Sequence, residues 1–406
     1  MTGIDRIIAE NRGGRHVGLP SWCTAHPETL AAILRCYRDD SAPILIEATC
    51  NQVNQHGGYT GMTPATFRDF VHAIARAQGI DPARIILGGD HLGPNPWKHL
   101  PAPEAMANAR EMVAAYSGAG FTKIHLDASM ACGGETLTEE TMAARAADLA
   151  AVAEPHRPHY VIGTEVPVPG GEVAPLDALG ITTPEAVTRT LALHRMAFAD
   201  RGLPFDRILA IVVQPGVDFG NDRIYPFAPA AAATLCAAAP ALNGPLYEAH
   251  STDYQSAQSL AALVRGHFPI LKVGPELTFA FRQAVFAMEA LGRMLGLPSN
   301  VETTLRQTMH NDPSDWRAYV AADDREAAMM LYGLSDRVRY YWPRPHVQSA
   351  VTALYDRLRA ATPEPGLVAQ VTGGMVRSSD PATLPETIID TMVGAVVRRY
   401  RQACED

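Results

Sequence analysis

Short apolar segments alternate along the chain with longer segments whose apolar residues have helical spacing. Eight short segments lie between His16 and Glu276, and they cover residues 16–23, 43–49, 85–91, 123–127, 160–165, 208–214, 245–250 and 270–276. They are rich in β-branched residues and flanked by Gly, Pro or Asn, which is typical of strands rather than helices. Ala-rich segments such as 103–119 and 138–153 separate them. This alternation predicts a parallel sheet covered by helices.

Two architectures give this alternation, a closed (β/α)8 barrel and a doubly wound open sheet. The open sheet would need a Gly-rich phosphate-binding turn or a crevice at a switch point in the strand order, and the chain has no such turn. Eight units therefore favour an α/β protein with a (β/α)8 TIM barrel over residues 1–295. Helical patterns in the remaining residues predict a C-terminal helical extension, 296–406, that packs on the barrel.

The composition excludes several classes of function. The 406 residues carry a formal net charge of −9, which argues against a nucleic-acid partner because phosphate backbones need a basic face. No apolar segment is long enough to span a bilayer and no signal peptide is recognisable, so we expect a cytoplasmic protein without a membrane partner. The six cysteines lack CxxC spacing and are expected to be free thiols.

Most of the apolar segments end in residues that can do chemistry. In a barrel the carboxyl ends of all strands open on one face, where active sites lie. We therefore expect one mouth to gather the polar residues at these ends, namely Glu47, Asp90, His91, Asp127, Glu165, Gln214, His250 and Lys272.

The adjacent residues Asp90 and His91 end the third segment and point in different directions. One can bind a metal ion while the other handles a proton. His91, Glu165 and His250 would form a metal site that keeps an open position for substrate, with Asp90 as the catalytic proton acceptor. Hydrogen-bonded structural histidines are the alternative, and the pattern by itself leaves both interpretations open.

Two further carboxylates and a third histidine flank this set. Glu47 and Asp127 end the second and fourth segments, and both are candidates for catalytic proton transfer. Asp127 is also a candidate ligand. Strand alternation puts His125 on the same face as Asp127, and we expect His125 to fill the barrel interior and support a neighbour.

Other polar residues of the mouth are candidates for substrate binding. Asn51 and Gln52 belong to an amide-rich loop that could hold sugar hydroxyls or could be stabilised by its own Asn turns. Gln214 ends the sixth segment. Lys272 could form a Schiff base if burial lowered its pKa, or it could act as a cation opposite a substrate phosphate or carboxylate, or beside Glu276.

Arginine offers a planar, bidentate fork for an anion. Arg282 follows the last barrel segment, and Arg337 and Arg339 lie in the predicted extension. Each is a candidate for an anion clamp or for an ion pair that fastens the extension to the barrel. Arg282 is kept as a substrate-binding candidate, Arg337 is left open, and Arg339 is assigned to structure.

Long motifs distributed over the whole chain carry a family resemblance. They include Ile86-Leu-Gly-Gly-Asp-His-Leu-Gly-Pro94 and the segments 47–55, 57–64, 123–130, 160–172, 247–255, 271–276 and 334–343. The chain resembles the GatZ/KbaZ family, the non-catalytic subunits of class II tagatose-1,6-bisphosphate aldolase. The resemblance implies a barrel of the class II aldolase type. It also implies a role in galactitol, N-acetylgalactosamine and tagatose catabolism, in support of a separate catalytic aldolase subunit.

The resemblance also bears on the metal. Class II aldolases hold Zn²⁺ with three histidines, and an Asp directly before the first of them handles the proton. Asp90-His91 and His250 match these elements, but the sixth segment has Val213-Gln-Pro-Gly216 where the remaining histidine is expected. Glu165 would replace it, and the resulting site would suit Mn²⁺ or Mg²⁺ as well as Zn²⁺.

Two hypotheses about function follow. In the first, the chain is an accessory barrel that works with a class II aldolase catalytic subunit. In the second, it is a stand-alone divalent-metal-dependent enzyme that cleaves or epimerises a ketose, a ketose phosphate or a uronate. Some family members carry a tagatose-6-phosphate kinase label, but the absence of a GxxxxGK[ST] loop argues against a kinase. The small ligand is expected to be a sugar phosphate or sugar acid, and a homo-oligomer is compatible with the sequence.

Overall fold

Eight parallel strands form a closed barrel in the computed structural model, which describes residues 3–164, 179–242, 244–377 and 380–405. The strands in chain order are β1 (Leu19–Cys23), β2 (Ile44–Thr49), β3 (Ile85–Leu92), β4 (Lys123–Leu126), β5 (His159–Ile162), β6 (Ile208–Val212), β7 (Asp218–Phe219), β8 (Ile224–Tyr225), β9 (Leu246–Ala249) and β10 (Ile270–Val273). The short strands β7 and β8 pair with each other outside the barrel. The other strands pair in the order β1-β2-β3-β4-β5-β6-β9-β10, and β10 closes on β1. The predicted (β/α)8 barrel is confirmed.

Helices follow the strands and cover the barrel. They are α1 (Gly3–Arg12), α2 (Pro27–Arg35), α3 (Pro64–Ala77), α4 (Ala102–Gly118), α5 (Glu139–Ala153), α6 (Pro184–Ala199), α7 (Ala233–Ala238), α8 (Ala257–Arg265) and α9 (Pro275–Met294). Several start at a hydroxyl N-cap, as at Thr63, Thr138 and Thr183, whose side chains accept a backbone N–H of the first turn. Each of these caps marks the end of the loop that precedes the helix.

Five further helices follow the barrel, namely α10 (Val301–Asn311), α11 (Glu326–Tyr332), α12 (Pro345–Ala360), α13 (Pro365–Val371) and α14 (Leu384–Cys404). The last of them packs against α2, α8 and α9. The Tyr400 hydroxyl donates to the backbone oxygen of Thr252 at 2.6 Å, and its ring contacts Trp22 edge-on. The extension therefore packs directly on barrel strands and helices.

None of the helices in the described part of the chain is both long enough and apolar enough to cross a bilayer. The apolar core lies mainly between the strands and the surrounding helices, with fully buried side chains such as Leu45, Phe67 and Leu263. The inside of the barrel is different, because Glu47, Lys123 and Glu248 are all fully buried there.

Candidate metal centre and substrate cavity

Three histidines meet at the carboxyl ends of β3, β4 and β9. The ring centroids of His91, His125 and His250 are 5.0 to 5.1 Å apart in all three pairs. Together with Asp90 they form a histidine cluster whose candidate ligand atoms all lie within 4.8 Å of one another. All four residues are buried. Because of their residue types and their proximity, they form a group that could hold a metal ion.

Each ring of the histidine cluster makes one hydrogen bond to a carboxylate. The pairs are His91 Nδ1 with Asp127 Oδ2 at 2.8 Å, His125 Nδ1 with Asp90 Oδ1 at 3.0 Å, and His250 Nε2 with Glu248 Oε1 at 2.9 Å. The other nitrogens of His125 and His250 are buried and have no hydrogen-bond partner among the described residues. Metal-binding histidines have this arrangement, because a carboxylate on one nitrogen orients the other toward the ion. The residues present therefore fit a divalent metal.

Protonation of the rings agrees with this arrangement. Burial lowers the pKa of His125, and it holds the pKa of His250 well below its usual range. Both rings are consequently neutral near pH 7, and a neutral imidazole is the form that binds a metal.

Asp90 is the carboxylate of the histidine cluster and the residue predicted to accept a proton. Burial would raise its pKa, but the neighbouring His91 and Lys272 together hold the pKa well below the usual range. The Lys272 ammonium is paired directly with Asp90, and the Cys23 thiol lies 3.8 Å away. Asp90 is therefore ionised and can act as a ligand or as a base.

An ion network of Glu47, Lys123, Glu248 and Lys272 adjoins the cluster inside the barrel. Lys123 Nζ lies 2.7 Å from Glu47 and 2.9 Å from Glu248, and Lys272 Nζ lies 3.0 Å from Glu47. Burial would raise the pKa of Glu47, but the two lysines lower it. Burial would likewise lower the pKa of Lys272, whereas Asp90 and Glu47 raise it well above its usual range. Lys272 is therefore a cation, and this geometry disfavours the Schiff-base alternative, which needs a neutral amine.

The backbone around these residues is unusual. His91 has φ 50° and Ser251, next to His250, has φ 51°, which are left-handed values that residues other than Gly rarely adopt. The pairing of β3 with β4 shifts register between Gly89 and Leu92. A Cβ at Gly88 would overlap the Glu47 carboxylate, and one at Gly93 would overlap the backbone oxygen of Asp127. The glycines that flank Asp90-His91 are therefore required by close approach of these groups.

A cavity of about 530 Å³ opens at the mouth above the cluster. Asp90, His91, His250 and Lys272 line it on the barrel side. The loop after β2 contributes the predicted residues Asn51 and Gln52, and the extension contributes further residues, including Arg339, Tyr340, Trp342 and Tyr355. The extension thus forms part of the cavity wall.

The structure places the other predicted site residues elsewhere. Gln214 is engaged in its own loop, where its side-chain oxygen accepts the N–H groups of Gly216 and Val217. Arg282 is buried in an ion pair with Asp336 at 2.7 Å. Neither Gln214 nor Arg282 is among the described residues that line the cavity. Glu165 lies outside the described residues.

Asp127 and Glu47 are likewise absent from the described residues that line the cavity. Asp127 is hydrogen-bonded to His91, and Glu47 pairs with Lys123 and Lys272. His125, expected to support a neighbour, does bond to Asp90 but also belongs to the histidine cluster. From sequence, a third histidine was expected in the sixth segment, with Glu165 as its replacement, and His125 on β4 was expected to support a neighbour. Strand alternation placed His125 on the same face as Asp127, but only the closed barrel brings its ring to His91 and His250.

A model of the family described as D-tagatose-1,6-bisphosphate aldolase subunit GatZ/KbaZ-like matches residues 4–405. The chain belongs to this family. The resemblance inferred from its motifs is thereby confirmed.

Individual relatives cover nearly the full length. A D-tagatose 6-phosphate 4-epimerase of Agrobacterium fabrum is 44% identical, with 99% of each chain covered. The D-tagatose-1,6-bisphosphate aldolase subunit GatZ of Shigella flexneri serotype 5b is 43% identical, with 98% of this chain and 99% of the relative covered. A crystal structure described as a probable tagatose 6 phosphate kinase from Sinorhizobium meliloti is 43% identical, with a TM-score of 0.86 and coverage of 95% and 100%. Relatives with three different names thus match nearly the whole length of this chain.

Proposed function

We propose that this chain is a GatZ-type subunit of a D-tagatose-1,6-bisphosphate aldolase and that its barrel mouth binds a divalent cation and a ketose phosphate. The observation that carries the proposal is the 43% identity to GatZ subunits over 98% of the chain. Its partner is then a class II aldolase catalytic subunit. The role it implies is to support the activity and stability of that subunit.

The donor set favours a particular metal. His91, His125 and His250 offer nitrogen ligands, which suit Zn²⁺ better than Mg²⁺, and Asp90 adds an oxygen that Mn²⁺ would also accept. A divalent cation there would polarise the carbonyl and hydroxyl oxygens of a ketose.

The protein groups around the cation have separable roles in this proposal. Asp90, which is ionised, holds or accepts a proton at the cavity. Lys272 faces the ligand as a cation, and Asn51 and Gln52 face its hydroxyls. Asp127 orients the His91 ring through the bond to Nδ1. Glu47 positions Lys272.

A second candidate is an enzyme that epimerises a ketose phosphate without a partner. The specific observation in its favour is the complete histidine cluster beside an ionised Asp90 at a cavity. A site used only for contact with another subunit would have no need of neutral, carboxylate-oriented imidazoles with unpaired nitrogens. The 44% identical relative is named a 4-epimerase, which agrees with this candidate.

One experiment separates the two. The purified chain is incubated with Zn²⁺ or Mn²⁺ and D-tagatose 6-phosphate, D-tagatose 1,6-bisphosphate or D-tagaturonate in D2O, with and without a class II aldolase catalytic chain, and followed by proton NMR. Activity that appears or rises only with the second chain supports the subunit. Turnover by the chain alone supports the epimerase or an independent aldolase, according to the product.

Two variants connect the result to the site. His125→Ala should lower bound metal, measured by elemental analysis, and should lower any activity of the chain alone. His310→Ala, an exposed histidine on α10, is the matched control and should change neither. Unchanged metal content in His125→Ala would remove His125 from the proposed ligand set.

A further inference from the structure

Arg337 and Arg339 of the extension have no carboxylate within ion-pair distance among the described residues. Arg337 donates from Nε to the backbone oxygen of Asp315, and its guanidinium lies between the rings of Tyr319 and Tyr340, 3.8 and 4.4 Å from their centroids. Arg339 bonds through Nη1 to the backbone oxygens of Ser335 and Asp336. All these acceptors are neutral.

The nearest carboxylates are in use or too far away. Asp336 bonds to Arg282 and to the Thr278 hydroxyl. The Asp315 carboxylate has a pKa that burial raises and that Arg337 and Arg339 are close enough to lower, but no ion pair joins it to either arginine among the described residues. The positive charge of Arg337 and Arg339 is therefore not balanced by a direct partner in the described structure, unlike that of Arg282.

Some N–H groups of the Arg339 guanidinium are not used in hydrogen bonds within the described residues. Its Nη1 makes two hydrogen bonds, and Nη2 makes one to the Tyr340 hydroxyl at 3.2 Å. The Nε–H and one Nη2–H have no hydrogen bond among the described residues. Arg339 therefore keeps two charged donors that can bind phosphate oxygens.

That arginine faces the same cavity as the histidine cluster. Arg339 and Tyr340 line it together with Asp90, His91 and Lys272. The ring of Tyr59, from the loop after β2, packs against that of Tyr340 in a tilted arrangement with centroids 4.6 Å apart, so the loop and the extension meet at this wall. The volume of about 530 Å³ is in the range of sites for small organic ligands.

We propose that Arg339, with the Tyr340 hydroxyl, binds the phosphate group of the sugar ligand at the extension wall of the cavity. The proposal rests on the proposed function, in that the ligand is a ketose phosphate. It assigns phosphate recognition to the extension rather than to the barrel, and it replaces Arg282, whose charge is paired with Asp336.

The test is isothermal titration of the full-length, metal-loaded protein with D-tagatose 6-phosphate, D-tagatose and inorganic phosphate. Removing a charged hydrogen-bond donor in Arg339→Gln should weaken binding of D-tagatose 6-phosphate by about tenfold or more. Binding of D-tagatose, which has no phosphate, should not change. Arg339→Lys keeps the charge but not the fork, so its affinity should fall between wild type and Arg339→Gln.

The matched control is Arg344→Gln, an exposed arginine close in sequence that pairs with Asp312 and does not line the described cavity. It should bind all three compounds like the wild type. Circular dichroism and the melting temperature check that each variant is folded. A purely structural role for Arg339 predicts an equal loss for D-tagatose and D-tagatose 6-phosphate, and that result would overturn the proposal.

The outcomes also separate this inference from the proposed function. If the wild type binds neither sugar, the ketose ligand is wrong, but inorganic phosphate still reports on Arg339: binding lost in Arg339→Gln supports the phosphate site. If the wild type binds D-tagatose 6-phosphate and Arg339→Gln binds it equally well, only the inference fails. Absence of binding by both D-tagatose 6-phosphate and inorganic phosphate would also overturn it.

Discussion

Charged side chains on the barrel side of the cavity have oppositely charged partners, whereas, among the described residues, Arg337 and Arg339 on the extension side do not. On the barrel side, each histidine of the cluster bonds to a carboxylate, and Lys123 and Lys272 are shared between acidic residues. On the extension side, Arg337 and Arg339 bond only to backbone oxygens and a phenol and lack a carboxylate within ion-pair distance in the described chain.

The difference follows from burial. Inside the barrel an unpaired charge would be strongly destabilising, so the charges must be balanced by the protein itself. Arg339, at the wall of the cavity, is only partly buried and can stay hydrated until a ligand arrives, whereas Arg337 is buried and its guanidinium packs on the rings of Tyr319 and Tyr340. The paired charges of the barrel side agree with the proposed metal site, and the charge of Arg339, unpaired among the described residues, agrees with the proposed anionic ligand.

Lys123→Met is the variant that we expect to lower the stability of the protein most. It leaves the fully buried carboxylates of Glu47 and Glu248 without their shared cation. We expect a loss of about 3–5 kcal/mol in the free energy of unfolding, measured by urea denaturation. Arg223→Met, which removes an exposed pair with Asp222, should leave the free energy of unfolding nearly unchanged. Equal shifts in the two variants would contradict the difference between buried and exposed pairs.

A buried carboxylate without a cation provides a second test. Asp253 lies in the loop after β9, and burial raises its pKa to about 7. Between about pH 4 and 7 the unfolded chain ionises this group while the folded protein keeps it protonated. Its contribution to stability is therefore complete below pH 4 and lost as the pH rises to 7, by up to about 4 kcal/mol.

Asp253→Asn isolates that contribution. The Asp253 Oδ1 accepts the N–H groups of Gly274 and Glu276, and the amide oxygen of Asn can accept the same two bonds. The melting temperature of Asp253→Asn should therefore fall less than that of the wild type between pH 4 and 7. Parallel curves for the two proteins would show that Asp253 does not titrate in this range.

Asp127→Asn sharpens the comparison at the metal centre. It weakens the acceptor that orients His91 while leaving the histidines in place. Loss of such an orienting carboxylate typically lowers metal affinity by about 10–100-fold, which a competition titration with Zn²⁺ would measure. Asp148→Asn, at a surface pair with Arg110, is the control and should leave the affinity unchanged. An unchanged affinity in Asp127→Asn would argue against His91 as a ligand.

The smallest expected effect concerns the attachment of the extension. Tyr400→Phe keeps the ring against Trp22 but removes the hydroxyl that bonds to the Thr252 backbone and side chain. We expect a loss of about 1 kcal/mol in stability. The exposed Tyr332→Phe should lose less. A loss no larger in Tyr400→Phe than in Tyr332→Phe would show that this contact contributes little to docking.

Much of the fold could be predicted from local sequence. The barrel strands could be predicted because short segments rich in β-branched residues are typical of strands rather than helices. Eight strand-helix units then favoured a closed barrel. The end of each strand then located Asp90, His91, His250 and Lys272 at one mouth. These predictions depend on spacing within a few residues, where propensity and strand alternation act.

Other parts of the site depended on tertiary contacts. Strand alternation put His125 on an inward face, but only the barrel brought its ring within 5.0 Å of His91 and His250. Residue type alone cannot show which of Arg282 and Arg339 binds an anion, and from sequence Arg282 was the favoured candidate.

By itself the sequence determined the barrel, the family and the chemical groups at the mouth, since these follow from local patterns and long motifs. Only the tertiary structure decided which charges were already paired. Glu47 meets Lys123, 76 residues away, and Arg282 meets Asp336, 54 residues away. Such pairing depends on distance in space rather than along the chain. For this reason the partners that neutralise Arg282 and leave Arg339 available to a ligand could not be predicted from sequence spacing.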